Sequence, residues 1–289
     1  MKNVVITGSS SGFGENAAKV FADSGYRVWA TMRDTSQRNA SKKEELESYS
    51  SAITGVEMNV SMDDSVKAGF SSIFSQIEKV DVLINNAGIM YTGITEGFTL
   101  DQAHEQMNTN YFGAIRATQE VLPSMRKSGD GLIINVSSIA GRIAIPYFGT
   151  YCATKFALEA YSQSLRYEVS PYGVDIALVE PGPFSTGLFG AIKAPKRTEI
   201  IDSYGELTNV PKALFQGFGE MLKKGEFPDP KMVVDAYLSL AEAEPGTRPI
   251  RTQVGVSWGV DELNRISQPI QDSIIEGLQL EAHLGGVSK

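Results

Sequence analysis

The chain has 289 residues, 42% of them hydrophobic and 21% charged, which is enough apolar material for one large core. Its net charge of -8 speaks against a nucleic-acid partner or an anionic membrane surface, since both reward clustered Lys and Arg. A single cysteine, Cys152, excludes an internal disulfide, and the two histidines, His104 and His283, supply no recognisable zinc set.

Short β-branched runs alternate with longer amphipathic stretches, the pattern of a parallel sheet with crossover helices. Strands are predicted at Asn3 to Thr7, Arg27 to Thr31, Gly55 to Asn59, Val80 to Asn85, Leu132 to Ser137 and Val174 to Val179, with a seventh at Thr252 to Val256. Between them the pattern predicts helices at Asn16 to Asp23, stopped by Ser24-Gly25, and at Asp63 to Glu78, capped by Ser61. Longer helices are predicted at about Gly113 to Lys127 and Thr150 to Ser170, whereas the polar run Thr35 to Ser51 reads as an exposed segment. The fold class is α/β, a doubly wound parallel sheet of about seven strands with a small helical lid. Residues 1–289 are expected to form one domain, with 183–231 as lid and 261–289 as a C-terminal extension. The chain opens directly on a strand, with no basic segment leading into an apolar stretch. A reducing, cytoplasmic setting without a membrane span is the expectation.

Two local features carry chemistry. The turn Thr7-Gly8-Ser9-Ser10-Ser11-Gly12-Phe13-Gly14 lies between a strand and a helix, where glycines let backbone N–H groups approach a phosphate at the positive helix end. Its spacing is G-x-x-x-G-x-G, different from the common dinucleotide fingerprint G-x-G-x-x-G. Tyr151 and Lys155 stand one helical turn apart, so a phenol and an ammonium share a face. A neighbouring cation is expected to pull the Tyr151 pKa down towards neutrality, where general acid/base catalysis is most effective. Cys152, beside that tyrosine, reads as a small buried helix residue, because no histidine lies nearby to activate it.

With further motifs in order, the chain resembles the short-chain dehydrogenase/reductase family in its compact single-domain form, from Met1 to about Val256. Thr7 to Gly14 resembles the family's T-G-x-x-x-G-x-G turn, Asn85-Asn86-Ala87-Gly88 its N-N-A-G, and Asn110-Tyr111-Phe112-Gly113 its N-x-x-G. Ser138 stands 13 residues before Tyr151, which opens Y-x-x-x-K, and Pro181-Gly182 follows the sixth strand. The resemblance implies a tetrad of Asn110, Ser138, Tyr151 and Lys155. Tyr151 would exchange the proton, Ser138 would bond the substrate oxygen, and Lys155 would tune Tyr151 and hold the nicotinamide ribose. Asn110 would place a water linking Lys155 to solvent, and Ser137 competes with Ser138 for its role. The resemblance also assigns cofactor contacts to Gly8, Ser10, Ser11, Gly12, Phe13 and Gly14, to Asn86, Ala87 and Gly88, and to Pro181 and Gly182. Thr186 resembles the residue that bonds the nicotinamide carboxamide, and Asn59-Val60 stands where the family often carries Asp-Val near the adenine.

Cofactor preference is read from the second strand's end, Thr31-Met32-Arg33-Asp34. An acid at that place would grip a ribose hydroxyl and repel a 2'-phosphate, but Met32 stands there. Arg33 comes next with a charge suited to that phosphate, and Ser11 adds a hydroxyl, so NADP(H) is predicted over NAD(H). A shift of one residue would bring in Asp34 and reverse the argument.

Phe184, Leu188, Phe189, Ile192, Leu207, Leu214, Phe215, Phe218, Met221 and Leu222 supply apolar surface for a lid. With the further likeness of the Val28 to Asp34 and Tyr151 regions to hydroxysteroid and retinol dehydrogenases, the expected substrate is an apolar or aromatic ketone, aldehyde or secondary alcohol. A 3-oxoacyl thioester reductase and a non-catalytic NADP(H) sensor are the rival readings. The lid shows no basic cluster for a phosphopantetheine arm, and an intact tetrad speaks against a sensor. Ala153, Ala157, Ala160 and Ser164 form a small-residue face on the Tyr151 helix, and the family commonly pairs there, so a homodimer or homotetramer is expected. The same residues would also suit packing on the subunit's own sheet. The amphipathic stretch Ile266 to Leu284 would cover the pocket or a neighbour.

Overall fold

A computed structural model describes residues 1–280; the side chains of Phe189 and Leu222, the end of the amphipathic stretch at Leu284, and His283 lie outside the described residues. Seven strands, β1 (Asn3–Thr7), β2 (Arg27–Met32), β3 (Ile53–Glu57), β4 (Val82–Asn85), β5 (Gly131–Val136), β6 (Val174–Pro181) and β7 (Arg251–Val254), form one sheet ordered β3-β2-β1-β4-β5-β6-β7. Every neighbouring pair is parallel. The helices are α1 (Gly12–Asp23), α2 (Ala40–Tyr49), α3 (Asp63–Phe74), α4 (Leu100–Met107), α5 (Gly113–Ser128) and α6 (Gly149–Val169). Then come α7 (Gly187–Gly190), α8 (Thr198–Ser203), α9 (Asn209–Lys223), α10 (Lys231–Glu242) and α11 (Val260–Gly277).

The period-2 alternation of the strands builds two cores. Val4 and Ile6 face Ala17 and Phe21 of α1 and Tyr237 of α10, while Val5 between them faces Phe70 of α3 and Val121 of α5. Both faces of the sheet are therefore buried, as expected of a doubly wound sheet. The strand order reverses at the β1/β4 pair, and their C-terminal ends open the crevice in which such folds place ligands.

Several boundaries differ from the sequence reading. The third strand begins at Ile53 and ends at Glu57 instead of running from Gly55 to Asn59, because Asn59 turns the chain: its Oδ1 accepts from Ser61 N at 3.1 Å. Ser61 does not cap α3; Met62 is the N-cap, and the Ser61 hydroxyl pairs with Thr109 Oγ1 at 2.9 Å. The helix ends at Phe74, short of Glu78. The segment read as exposed contains α2, whose only buried residue is Leu46, so it carries no apolar stripe to betray a helix. The first helix starts at Gly12, four residues earlier than the composition signals.

Candidate active site

The first loop and the fourth are stitched together at the switch point. Thr7 Oγ1 accepts the backbone N–H groups of Asn86 and Ala87, both at 3.0 Å, and Asn86 Nδ2 donates to Thr7 O at 2.9 Å and Gly8 O at 3.2 Å. Gly8 has φ +71°, and a Cβ there would meet Ala87 Cα at 2.8 Å; one on Gly14 would fall 2.4 Å from Gly8 O. Ser11 is the N-cap of α1 but makes no side-chain cap, so the first-turn N–H groups remain for an outside acceptor. A glycine cradle at a bare helix N-terminus fits a diphosphate.

A cavity of about 400 Å³ runs from this cradle past the ends of β2, β5 and β6. Gly8, Ser10, Ser11, Gly12 and Phe13 line it from the first loop, and Asn86, Ala87 and Gly88 from the fourth. Arg33, Asn59 and Val60 lie on its walls, as do Pro181, Gly182 and Thr186. Ser137, Ser138, Tyr151 and Lys155 complete it. Gly14 stands behind the first loop, where its value is the close approach to Gly8. Asp34, whose register was open, is absent from the lining: its φ of +55° turns it outward, and its N–H donates to Glu57 Oε1 at 2.8 Å.

Helix α6 is aimed by a buried polar chain that the sequence reading missed. Asn85 Nδ2 donates to Asn135 Oδ1 at 2.8 Å, and Asn135 Nδ2 donates to Ser162 Oγ at 2.8 Å, tying β4, β5 and α6 together. On that helix Tyr151 and Lys155 are buried on one face, and Lys155 Nζ sits 5.8 Å from the Tyr151 ring centroid. Ser138 hydrogen-bonds Tyr151 and is fixed as N-cap of the turn at Ile139–Gly141, accepting from Ala140 N at 3.1 Å. Ser137 also borders the cavity but is buried and crowded, since a Cβ on Gly141 would fall 2.7 Å from its Oγ. Only Ser138 of the two is joined to the phenol.

The electrostatics differ from the sequence reading. Burial pushes the Tyr151 pKa up to about 12, opposed by the Ser138 hydrogen bond, and Lys155 does not pull it down. Lys155 is itself pushed down to about 8 by burial, against the attraction of Glu159, and its ammonium is spent on Val136 O at 2.7 Å. The spacing was legible; the dryness of the site, which disfavours both charges, was not.

Asn110 is held behind the cavity wall. It lies in a π-turn, Asn108–Phe112, between α4 and α5, and does not border the cavity. Its Oδ1 accepts from Ile89 N at 2.8 Å, and its Nδ2 donates to Ile89 O at 2.9 Å and Thr154 Oγ1 at 3.1 Å. It therefore braces the fourth loop against the residue preceding Lys155.

The remaining walls divide by chemistry. Arg38, unanticipated in the sequence, joins Arg33, while Met90, Ile145, Phe148, Leu188, Leu214 and Phe218 form an apolar side. Of the predicted lid residues, Phe184 packs edge-on against Phe13 with centroids 5.7 Å apart, and Ile192 and Phe215 pack behind Met90 and Phe148. Leu207 and Met221 are exposed instead. No carboxylate lines the cavity among the described residues.

The short chain dehydrogenase family model matches residues 2–197, more than half of the chain. The chain belongs to that family. It is 42% identical over 184 residues to the 3-ketodihydrosphingosine reductase of Bacteroides thetaiotaomicron, a match spanning 64% of this chain and 64% of that protein. It is 36% identical over 262 residues to human (Homo sapiens) retinol dehydrogenase 8, covering 89% of this chain and 82% of the relative. Among solved structures, the alcohol dehydrogenase of Thermococcus sibiricus complexed with 5-hydroxy-NADP superposes with a TM-score of 0.70 at 25% identity, covering 89% and 97% of the two chains. The match to the reductase spans 64% of that protein's length, and the cradle and cavity of this short-chain dehydrogenase fit a dinucleotide. Among its described residues no helix is long and apolar enough to cross a membrane.

Proposed function

We propose that this short-chain dehydrogenase is an NADP(H)-dependent reductase of lipophilic ketones or aldehydes, able to run in reverse on the secondary alcohol. The observation carrying the reading is one cavity in which a protonated Tyr151, bonded to Ser138, meets an apolar wall while two arginines occupy the wall's other end. The 3-keto and retinoid names of its relatives agree with a lipophilic guest.

The glycine turn would hold the diphosphate, Asn59 and Val60 the adenine side, and Arg33 with Arg38 the 2'-phosphate. Asn86, Ala87 and Gly88, Pro181 and Gly182, Thr186, Tyr151 and Lys155 would hold the nicotinamide half. When bound, NADP(H) supplies or removes the hydride. Ser138 donates a hydrogen bond to the carbonyl oxygen as negative charge develops on it. Tyr151, neutral at physiological pH, would give that oxygen its proton and become a phenolate, while Lys155, anchored on Val136 O, would serve the nicotinamide ribose. Asn110 supports this by fixing the Ile89 peptide and Thr154. The chain would work as one catalytic unit over 1–289, with 183–231 as its lid, in a reducing cytoplasm that suits the free, buried Cys152.

We further propose a homodimer through α5 and α6. Ala153, Ala160 and Ser164 are exposed and Ala157 half-buried, so this small-residue face does not pack on the subunit's own sheet. Phe112 and Phe156 are exposed beside it. Mass measurement of wild type and Ala157→Glu in solution tests it: a dimer reduced to a monomer is the expected result. The functional test is NADPH consumption against a ketone and aldehyde panel, compared with NADH. Turnover only of small charged carbonyls, or equal efficiency with both cofactors, would refute the reading.

A further inference from the structure

The segment joining β7 to α11 lies against the cofactor loops. A Cβ on Gly255 would fall 2.7 Å from Phe184 Cζ, and one on Gly182 would fall 2.2 Å from Val256 O. Two residues on, Trp258 borders the cavity while remaining 51% exposed, which puts the indole at the rim. It is held there with φ +48°, a left-handed conformation that is costly for a bulky side chain and persists only where its surroundings enforce it.

The start of α11, directly after Trp258, provides the enforcement. Gly259 caps α11, and one turn into that helix Asn264 donates from Nδ2 to Glu180 Oε2 at 2.5 Å. Asn264 Oδ1 accepts from Arg142 Nε at 2.8 Å, and Arg142 Nη2 donates to Ser267 Oγ at 2.7 Å. Arg142 closes the turn that Ser138 opens. Glu180 is fully buried in β6, just before Pro181-Gly182, and Arg251 of β7 stands 3.4 Å from it while pairing with Glu159 of α6 at 2.9 Å. Glu159 lies one turn beyond Lys155 on the same helix face. A buried carboxylate thus ties the C-terminal helix to the serine loop and to the helix carrying Tyr151 and Lys155.

We propose that Trp258 is a specificity-determining residue at the rim of the substrate cavity, and that Glu180, through Asn264 and Arg142, is the positioning residue that sets the indole's place. The inference rests on the lipophilic-carbonyl reading for its kinetic arm only. A large apolar carbonyl gains contact area from the indole and a small one does not, so the rim weights the enzyme towards bulk.

The titratable groups facing Glu180 are Glu159 from α6, Arg251 from β7 and Arg142 from the serine loop; Asn264 and Ser267 of α11 are neutral. Burial together with Glu159 pushes the Glu180 carboxyl up to about 8. Because the docked, buried state raises this pKa, ionisation opposes docking, so α11 should be held less firmly as pH rises through that value.

The experiment uses full-length protein. The chain has two tryptophans, and Trp29 is fully buried in β2, so Trp258→Phe isolates its constant signal and the difference spectrum reports the rim indole. Glu180→Gln and Asn264→Ala should each shift the Trp258 emission to longer wavelength and abolish its pH dependence between 7 and 9. NADPH affinity should stay within threefold. Trp258→Ala should raise KM for bulky ketones about tenfold relative to small ones, with kcat within threefold, and adding Glu180→Gln should change that ratio no further. Glu180→Asp, if folded, should recover part of the wild-type emission. Wild-type emission in a folded Glu180→Gln or Asn264→Ala, or a Trp258→Ala variant with an unchanged size ratio, would overturn the proposal. Should the wild type reduce no ketone, the function reading fails while the emission arm still decides whether Glu180 positions the rim.

Discussion

The glycine turn and the apolar segment proposed as a lid line the same cavity, yet they are built on opposite principles. In the turn, position is imposed by backbone: Gly8, Gly14, Thr7 and Asn86 interlock at hydrogen-bond distance, and an added methyl has no room. In the apolar segment, Phe215 meets Phe218 and, from the start of α6, Phe148 through ring contacts of 6.0 and 5.8 Å, which tolerate changes of shape if volume is kept. The turn suits an invariant ligand such as a diphosphate. The lid suits a guest recognised by bulk, so changes in the lid should move substrate choice while the chemistry survives.

The sharpest division is expected at the reacting end. Tyr151→Phe should lower turnover about a thousandfold while leaving NADPH affinity within threefold, measured by stopped-flow and fluorescence titration. Next comes the cofactor end, where Arg33→Ala and Arg38→Ala should each weaken NADPH about 10- to 100-fold and leave NADH nearly unchanged, as lost charge-assisted bonds to a phosphate would require. Phe218→Ala should raise KM for an apolar ketone about tenfold, from roughly 1 to 2 kcal/mol of lost burial, without touching cofactor affinity. A lid substitution that abolished NADPH binding would erase the contrast between the two walls.

Lys155 gives a smaller effect with a diagnostic sign. Its pKa falls from 10.5 to about 8 on folding, so below pH 8 the folded state carries the whole cost of a buried charge, which is relieved as pH rises from 8 towards 10.5. The shift corresponds to an upper limit of about 3 kcal/mol, offset in part by the bond to Val136 O. Lys155→Met should therefore raise Tm by a few degrees at pH 7 while removing most turnover, by calorimetry and steady-state assay. In the wild type, kcat/KM for reduction should hold steady below pH 8 and decline above it, because Lys155 deprotonates first and Tyr151, at about 12, stays a proton donor.

The legibility of each element depends on the range of its signal. Strands β1, β2, β4, β5 and β6 and the Tyr151 helix were readable because burial on both sheet faces writes continuous apolar runs, and a helix writes its own spacing. The α2 helix was not, since Leu46 alone is buried on it. Arg38 and Trp258 carry no local signature; each borders the cavity only because the chain returns to it from elsewhere. The Asn85, Asn135 and Ser162 chain reads in sequence as three unrelated polar residues.

The sequence by itself determined the α/β architecture, the turn where a phosphate fits, and the one-turn separation of Tyr151 and Lys155. These are set by residues near one another along the chain, where φ freedom, helical period and strand alternation operate. Tertiary structure alone decided which serine meets the phenol, that burial raises the Tyr151 pKa and lowers that of Lys155, that Asp34 stays out of the cavity lining, and that Trp258 stands at the rim. Desolvation and cross-chain contact depend on what the fold brings together, and no local spacing encodes them.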